Sequence, residues 1–115
     1  MHLNAYMLDW TFDGFDDLKR ALTAHGFALE PEPESPHIRV TVPLDRVETF
    51  AGLVRPHFNA RCNYVDVQYP AEGLTVLIFQ EEVFRITTHA QDAQVRAWAI
   101  GVGLPPEQAD WPVSF

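Results

Sequence analysis

The chain of 115 residues has one cysteine, one lysine and no long apolar run. A single cysteine, Cys62, excludes an internal disulfide and suits a reducing compartment, so we expect a cytoplasmic protein. No stretch approaches the roughly 18 apolar residues of a membrane-spanning helix, and the first residues do not have the basic and apolar pattern of a secretion signal. We therefore expect neither a membrane partner nor export.

Positive charge is also scarce. Eight basic side chains stand against 16 acidic ones, and the formal net charge is −8. This balance repels phosphate backbones, and the basic residues do not gather into the stripe that nucleic-acid binding needs. The sequence therefore predicts no nucleic-acid partner, whereas a basic protein would complement the acidic surface.

Motifs of catalysis and cofactor binding are missing as well. No glycine-rich loop separates a predicted strand from a predicted helix, because Gly101 and Gly103 fall at a helix end. The five histidines include no pair at the helical spacing of a metal site, and His25 and His57 fall at predicted helix ends, where an imidazole can cap free carbonyls. Cys62 has no base clearly within reach. We predict no catalytic residue, no metal and no cofactor.

One hydrophobic pattern, however, occurs twice. Residues 6–22 and residues 38–54 match at an offset of 32 positions. In each copy the apolar period changes from 2 to about 3.6, at Asp13 in the first and at Asp45 in the second. A strand that runs into a helix has this pattern, so the chain is predicted to contain two β-α-β units.

The repeat predicts an α+β fold of the ferredoxin-like type, in which tandem β-α-β units form an antiparallel sheet with both helices on one face. We expect a single domain, residues 1–115, with units at 3–34 and 37–69. Residues 74–115 append a C-terminal strand, a third helix and a tail. The expected strand order is 5-4-1-3-2.

Local patterns give the expected element boundaries. The first strand is expected at residues 3–12, with alternate residues, including Trp10, facing the core. After the strand that starts at Leu74, residues 80–82 predict either a bulge or a second tight turn. The expected helix N-caps are Asp13, Asp45 and Thr88.

The sheet face away from the first two helices offers a contact surface if the third helix leaves it open. Residues expected there are Met7, Arg39, Thr41, Tyr64 and Leu77. The polar candidates for binding on this face are Asp9, Arg39, Tyr64 and Asp66. Asp9 and Asp66 could form a carboxylate pair whose pKa values move apart, or salt bridges with Arg39 or Arg61.

Three further candidates lie in the appended segment. Glu81 and Glu82 interrupt an apolar run, either as protection of a sheet edge or as an acidic tip that meets a basic partner. Trp111, in the tail, is the aromatic residue that we expect to be exposed and to rest against the domain or against a partner.

The expected function is that of a small acidic cytoplasmic protein–protein interaction module, such as an inhibitor or immunity-type partner of a basic protein. The alternative is a small-molecule sensor or a small dimeric enzyme that uses the open sheet face. A structural homodimer through sheet edges or faces is a third hypothesis. The fold type alone does not choose among them.

Overall fold

The computed structural model describes residues 4–115, so Leu3 of the first predicted strand lies outside the described residues. The strands are β1 (Ala5–Met7), β2 (Ala28–Pro31), β3 (Ile38–Thr41), β4 (Tyr64–Tyr69), β5 (Leu74–Phe79) and β6 (Val83–Ile86). The α-helices are α1 (Phe15–Ala24), α2 (Val47–Val54) and α3 (His89–Gly101). None of the helices in the described range is long and apolar enough to cross a membrane.

The six strands form one antiparallel sheet in the order β2-β3-β1-β4-β5-β6. The predicted α+β class with an antiparallel sheet is confirmed. Read from the opposite edge, the observed order contains the predicted order 5-4-1-3-2, with β6 added beyond β5. A tight turn separates β5 from β6, and in it the N–H of Phe79 donates to the carbonyl of Glu82 at 2.8 Å. The second of the two alternatives for residues 80–82 is therefore the correct one.

One face of the sheet, here called the near face, is covered by α1 and α2. Leu18 and Leu22 of α1, together with Phe50 and Val54 of α2, are fully buried. Each such side chain contributes about 1.5–3 kcal/mol when it leaves water. The strand residues that they join in one cluster include Ala5, Met7, Val40, Val67 and Val76.

The opposite face, here called the far face, is covered only in part. Over β5 and β6 it packs against α3 and against the tail, residues 104–115. This second cluster contains Leu77, Phe79, Ile86, Val95, Ala99, Leu104 and Trp111. Leu77 lies on the far face as expected, but the third helix covers it there and it is fully buried. Met7, expected on the same face, is buried in the near-face cluster, so its predicted place is wrong. No described helix covers the far side of β1 and β3, here called the open half.

The first strand is shorter than predicted and presents the opposite set of side chains to the core. Ala5 and Met7 are buried in the near-face cluster, while Tyr6 faces the open half. Pairing of Met7 with Ile38 sets this register, and a shift of one residue exchanges the two faces of a strand. Residues 9–11 form a 3-10 turn, so Trp10, predicted in the core, is 59% exposed.

The first two helices also begin later than predicted. The N–H of Asp13 donates to the carbonyl of His57 at 2.7 Å, and this bond keeps the chain outside the helix. Gly14 is the N-cap of α1 and adopts a left-handed conformation with a φ of 62°. Residues 44–46 form a 3-10 turn before α2, so Asp45 does not cap that helix.

The start of the third helix agrees with the prediction. The hydroxyl of Thr88 accepts a hydrogen bond from the N–H of Gln91 at 3.2 Å. The Gln91 side-chain oxygen accepts in return from the N–H of Thr87 at 2.8 Å. A capping box of this kind fixes the start of a helix because it pairs donors that the helix cannot pair itself.

Candidate functional site

A groove of about 280 Å³ lies on the far face where β1 and β4 run beside the tail. Three aromatic side chains line it, from β1, the 3-10 turn and β4: Tyr6, Trp10 and Tyr64. Two carboxylates line it as well, from β4 and from the tail: Asp66 and Asp110. Cys62 also borders the groove, at the entrance to β4.

The alternation of β4 places two of these residues in the groove. Val65 and Val67 are buried in the near-face cluster, so the intervening Tyr64 and Asp66 point to the far face. Trp10 reaches the rim because its turn is held by the side-chain amide of a nearby asparagine. Nδ2 of Asn59 donates to the carbonyl of Trp10 at 2.9 Å.

A hydrogen-bonded cluster of Asp92, Arg96 and Trp111, here called the tail anchor, fixes the tail to α3. The indole N–H of Trp111 donates to Oδ1 of Asp92 at 2.8 Å, and Nε of Arg96 donates to Oδ2 at 2.7 Å. The guanidinium of Arg96 also donates to the carbonyl of Trp111 at 2.8 Å. Trp111 is only 3% exposed, so its predicted exposure is wrong, because its indole wedges between α3 and the sheet.

A second set of hydrogen bonds ties the tail to the floor of the groove. Nε2 of Gln68 donates to Oδ2 of Asp66 at 2.7 Å and to the carbonyl of Pro112 at 2.9 Å. The side-chain oxygen of Gln68 accepts from the hydroxyls of Thr75, at 2.7 Å, and Ser114, at 2.6 Å. Gln68 therefore joins the carboxylate of Asp66 to the tail, and the wall of the groove is fixed on both sides of Asp110.

Burial raises the pKa of Asp66, since a charged carboxylate loses hydration in the groove. The nearby charge of Asp110 raises it further, while the hydrogen bond from Gln68 acts in the opposite direction. Asp66 takes part in none of the ion pairs found among residues 4–115. The floor of the groove thus holds an acid that would be stabilised by a cation.

Burial also raises the pKa of Tyr64, to about 12, and the charges of Asp110 and Asp66 act in the same direction. The phenol donates to the carbonyl of Gln108 at 3.2 Å, and the carboxylate of Asp110 lies beside the same hydroxyl. The phenol therefore remains neutral at physiological pH and serves as a hydrogen-bond donor and an aromatic surface.

Two of the four polar residues predicted on this face line the groove, and two do not. Tyr64 and Asp66 line it. Asp9 lies beside His37, with its carboxylate 3.2 Å from Nδ1 of that ring. The guanidinium of Arg39 lies 4.6 Å from the ring centre of Tyr6, so Arg39 neighbours the groove without lining it.

The ion pairs differ from the predicted ones. Arg39 pairs with Glu32, and Arg61 pairs with Glu81. The predicted salt bridges from these two arginines to Asp9 and Asp66 are therefore wrong.

The acidic residues of the β5–β6 turn lie outside the groove. Glu81 is engaged with Arg61, and Glu82 is exposed in the same turn. Both side chains sit at the end of the β5–β6 edge.

Of the aromatic and acidic residues of the groove, sequence reasoning missed three. Tyr6 and Trp10 were assigned to the core because their alternation continues that of a strand. Asp110 had no signal of its own, although its position next to an apolar tail residue could have placed it near the body of the domain. The register of β1, the 3-10 turn that follows it and the path of the tail decide these positions, and no local sequence pattern predicts them.

A larger cavity of about 760 Å³ lies at the other end of β3 and β4, and among residues 4–115 Glu72 is its one charged lining residue. In its wall the hydroxyl of Tyr69 donates to the carbonyl of Val42 at 2.9 Å, and burial raises the pKa of Tyr69 to about 12. No predicted site residue lines this cavity. Within residues 4–115, no group of three or more His, Cys, Asp and Glu side chains is placed to hold a metal ion.

Comparisons with protein-family models, with curated proteins and with solved structures found no match for this chain.

Proposed function

We propose that the protein is a small acidic interaction module that binds a basic protein through the groove and the open half of its sheet. One observation carries the proposal. Asp66 and Asp110 line the groove, and neither takes part in any ion pair found among residues 4–115. A basic side chain from a partner would supply the missing positive charge.

The aromatic rim supports a protein partner. Trp10 is 59% exposed and lines the same groove as the two carboxylates. Tryptophan is among the residues that contribute most to binding when a partner covers them. The net charge of −8 would also accelerate encounter with a basic protein, at a rate that salt reduces. An inhibitor or immunity-type partner of a basic protein needs these properties and no catalytic residue.

We propose a ferredoxin-like arrangement for the first four strands, in a cytoplasmic protein. In support, β3 lies between β1 and β2, and β1 lies between β3 and β4. In addition, α1 and α2 each connect one of these split pairs, and they pack on the same face. The thiol of Cys62, which forms no disulfide, suits a reducing compartment.

The test compares two doubly substituted proteins that lose the same amount of negative charge. Asp66→Asn/Asp110→Asn changes the groove. Asp16→Asn/Asp17→Asn changes an exposed turn of α1, where the carboxylates make only exposed ion pairs. Proteins captured by the wild type would be identified, purified and titrated by calorimetry at low and moderate salt.

We expect a basic partner that binds the wild type and the α1 variant alike and binds the groove variant at least about tenfold more weakly. Higher salt should weaken the wild-type complex. A partner that is acidic, or equal binding by both variants at every salt concentration, would contradict the proposal.

A second candidate function is a small-molecule sensor or a small dimeric enzyme, and the raised pKa of Asp66 beside Tyr64 supports it. Perturbed carboxylates in clefts are frequent at functional sites. A thermal-shift screen of small amines and guanidines distinguishes it, because a sensor would respond to one of them at micromolar concentration. Light scattering over a range of protein concentrations tests the homodimer that an enzyme of this size would use.

A further inference from the structure

We infer that the groove receives the guanidinium group of an arginine side chain carried by the partner protein. This inference rests on the proposed function and adds the chemistry of the contact. The groove measures about 280 Å³, just below the range of about 300–1,000 Å³ that is usual for drug-sized ligands. A site of this size suits one side chain.

The negative charges of the groove favour binding of a cation. Asp66 lies in the floor and Asp110 in the wall, and each carboxylate raises the pKa of Tyr64. Arg39 lies over the ring of Tyr6, and the charge of Arg96 acts on Tyr64, but both arginines are engaged in other ion pairs. Arg96 is held in the tail anchor by Asp92, and Arg39 pairs with Glu32. Neither forms an ion pair with Asp66 or Asp110, so these two carboxylates can pair with a cation from a partner.

The aromatic lining favours a guanidinium over an ammonium group. A guanidinium is planar, stacks on aromatic faces and donates two parallel hydrogen bonds to a carboxylate, whereas an ammonium acts as a strongly hydrated point charge. Trp10 and Tyr64 supply aromatic surface, and Asp66 and Asp110 supply acceptors. Cation–π contact is strongest with tryptophan among the aromatic residues.

The protein uses the same combination inside its own fold. In the tail anchor the guanidinium of Arg96 lies 4.6 Å from the ring centre of Trp111 and donates to the carboxylate of Asp92. The groove also has a tryptophan and two carboxylates among its lining residues, and no arginine of residues 4–115 lines it. An arginine from a partner would bind between tryptophan and carboxylates at the surface, as Arg96 does in the interior.

The experiment titrates ¹⁵N-labelled protein with N-acetyl-arginine amide, N-acetyl-lysine amide and free arginine, followed by NMR. We expect saturable shifts of the Trp10 indole and of the amides at 64–66 and 108–110. The arginine amide should bind about tenfold more tightly than the lysine amide because only its planar group can stack and pair at once. Free arginine should bind more weakly than its amide, since its charged α-ammonium and α-carboxylate groups replace the neutral amides of a peptide and lose hydration at the groove.

Two variants show whether the groove is the site. Asp66→Asn/Asp110→Asn should abolish the saturable shifts, and Trp10→Ala, which removes an exposed side chain and leaves the fold intact, should weaken binding severalfold. Asp16→Asn/Asp17→Asn should bind as the wild type does. Urea unfolding of each variant confirms that it is folded.

Several results would overturn the inference: linear shifts without saturation, equal binding of the lysine amide, or shifts centred on α1. Free arginine that binds as tightly as its amide would indicate a metabolite and overturn the protein source. A basic partner that binds wild type and groove variant equally would leave an interaction module but reject this groove. Conversely, arginine-specific shifts without any basic partner would reject the proposed function and retain the chemistry of the groove.

Discussion

The two faces of the sheet are closed in different ways. On the near face, α1 and α2 seal the sheet, and the side chains between them are fully buried. On the far face, α3 and the tail seal the β5–β6 side, while the far side of β1 and β3 has no described helix over it. The groove lies at the boundary, where the tail stops covering the sheet.

The difference separates stability from binding. A fully packed face leaves no room for a ligand, because protein interiors are packed as densely as organic crystals. On a half-covered face, the covered part holds polar and aromatic side chains in fixed positions. The uncovered part leaves them accessible to a partner. We therefore expect substitutions on the near face to change mainly the free energy of unfolding, and substitutions in the groove to change mainly binding.

The largest expected effect is that of Phe50→Ala on the near face. Phe50 is fully buried between α2 and the sheet, so its removal should lower the free energy of unfolding by about 3–5 kcal/mol. Urea unfolding followed by circular dichroism measures this loss. Phe50→Leu, which keeps most of the volume, is the matched control and should cost much less. A loss below about 1 kcal/mol for the alanine variant would show that the near face is not sealed.

The next effect is that of Asp92→Ala in the tail anchor. The substitution leaves the indole N–H of Trp111 and the guanidinium of Arg96 without their acceptor, which should cost about 2–3 kcal/mol. The same unfolding assay measures it. Glu81→Ala, which breaks the exposed pair with Arg61, is the control and should cost less than about 1 kcal/mol. Equal losses in the two variants would mean that the tail is not fixed by this anchor.

The third prediction concerns pH and the groove. The pKa of Asp66 is raised in the folded protein above its ordinary value of 3.8. Between the two values the folded state binds more protons than the unfolded state, so this group lowers the free energy of unfolding as pH rises through that window. Asp66→Asn should therefore be more stable than the wild type at pH 7, because it removes the cost of a buried charge while the amide oxygen of the new side chain still accepts from Gln68.

Unfolding titrations at pH 7 and near pH 3 test this sign. The advantage of Asp66→Asn should disappear at the lower pH, where Asp66 is protonated in both states of the wild type. Asp16→Asn, at an exposed position, serves as the control for a general change in charge. If Asp66→Asn is less stable than the wild type at pH 7, the carboxylate of Asp66 has a stabilising partner.

The smallest effect is expected for Trp10→Ala. Because this side chain is 59% exposed, its removal should change the free energy of unfolding by no more than about 0.5 kcal/mol. Chemical denaturation followed by far-ultraviolet circular dichroism is suitable, since it does not depend on tryptophan fluorescence. A loss of about 2 kcal/mol or more would show that Trp10 is buried in the core, as the alternating pattern predicted.

The helical part of the repeat was predicted better than the strand part. Leu18 and Leu22 in α1, and Phe50 and Val54 in α2, are buried as the helical spacing requires. A helix presents its apolar stripe whatever its neighbours do. A strand depends on register, and the pairing of β1 with β3 turns Tyr6 away from the core. Trp10 leaves the core because it lies in the 3-10 turn after the strand.

The site was predictable only where it followed a regular strand. Alternation along β4 placed Tyr64 and Asp66 on the far face, and both line the groove. Asp110 and Trp111 depend on the path of an irregular tail, which the tail anchor fixes through contacts 15 and 19 residues apart in sequence. Such contacts between distant residues have no local pattern, so the wall of the groove could not be found from sequence.

The most direct test of the half-open far face is hydrogen–deuterium exchange at the indole N–H groups, followed by NMR. The Trp111 indole donates to the buried carboxylate of Asp92, whereas the Trp10 side chain is exposed at the rim of the groove. We predict slow exchange for Trp111 and fast exchange for Trp10 in the same sample. Equal rates for the two, or slower exchange at Trp10, would contradict the account of the far face.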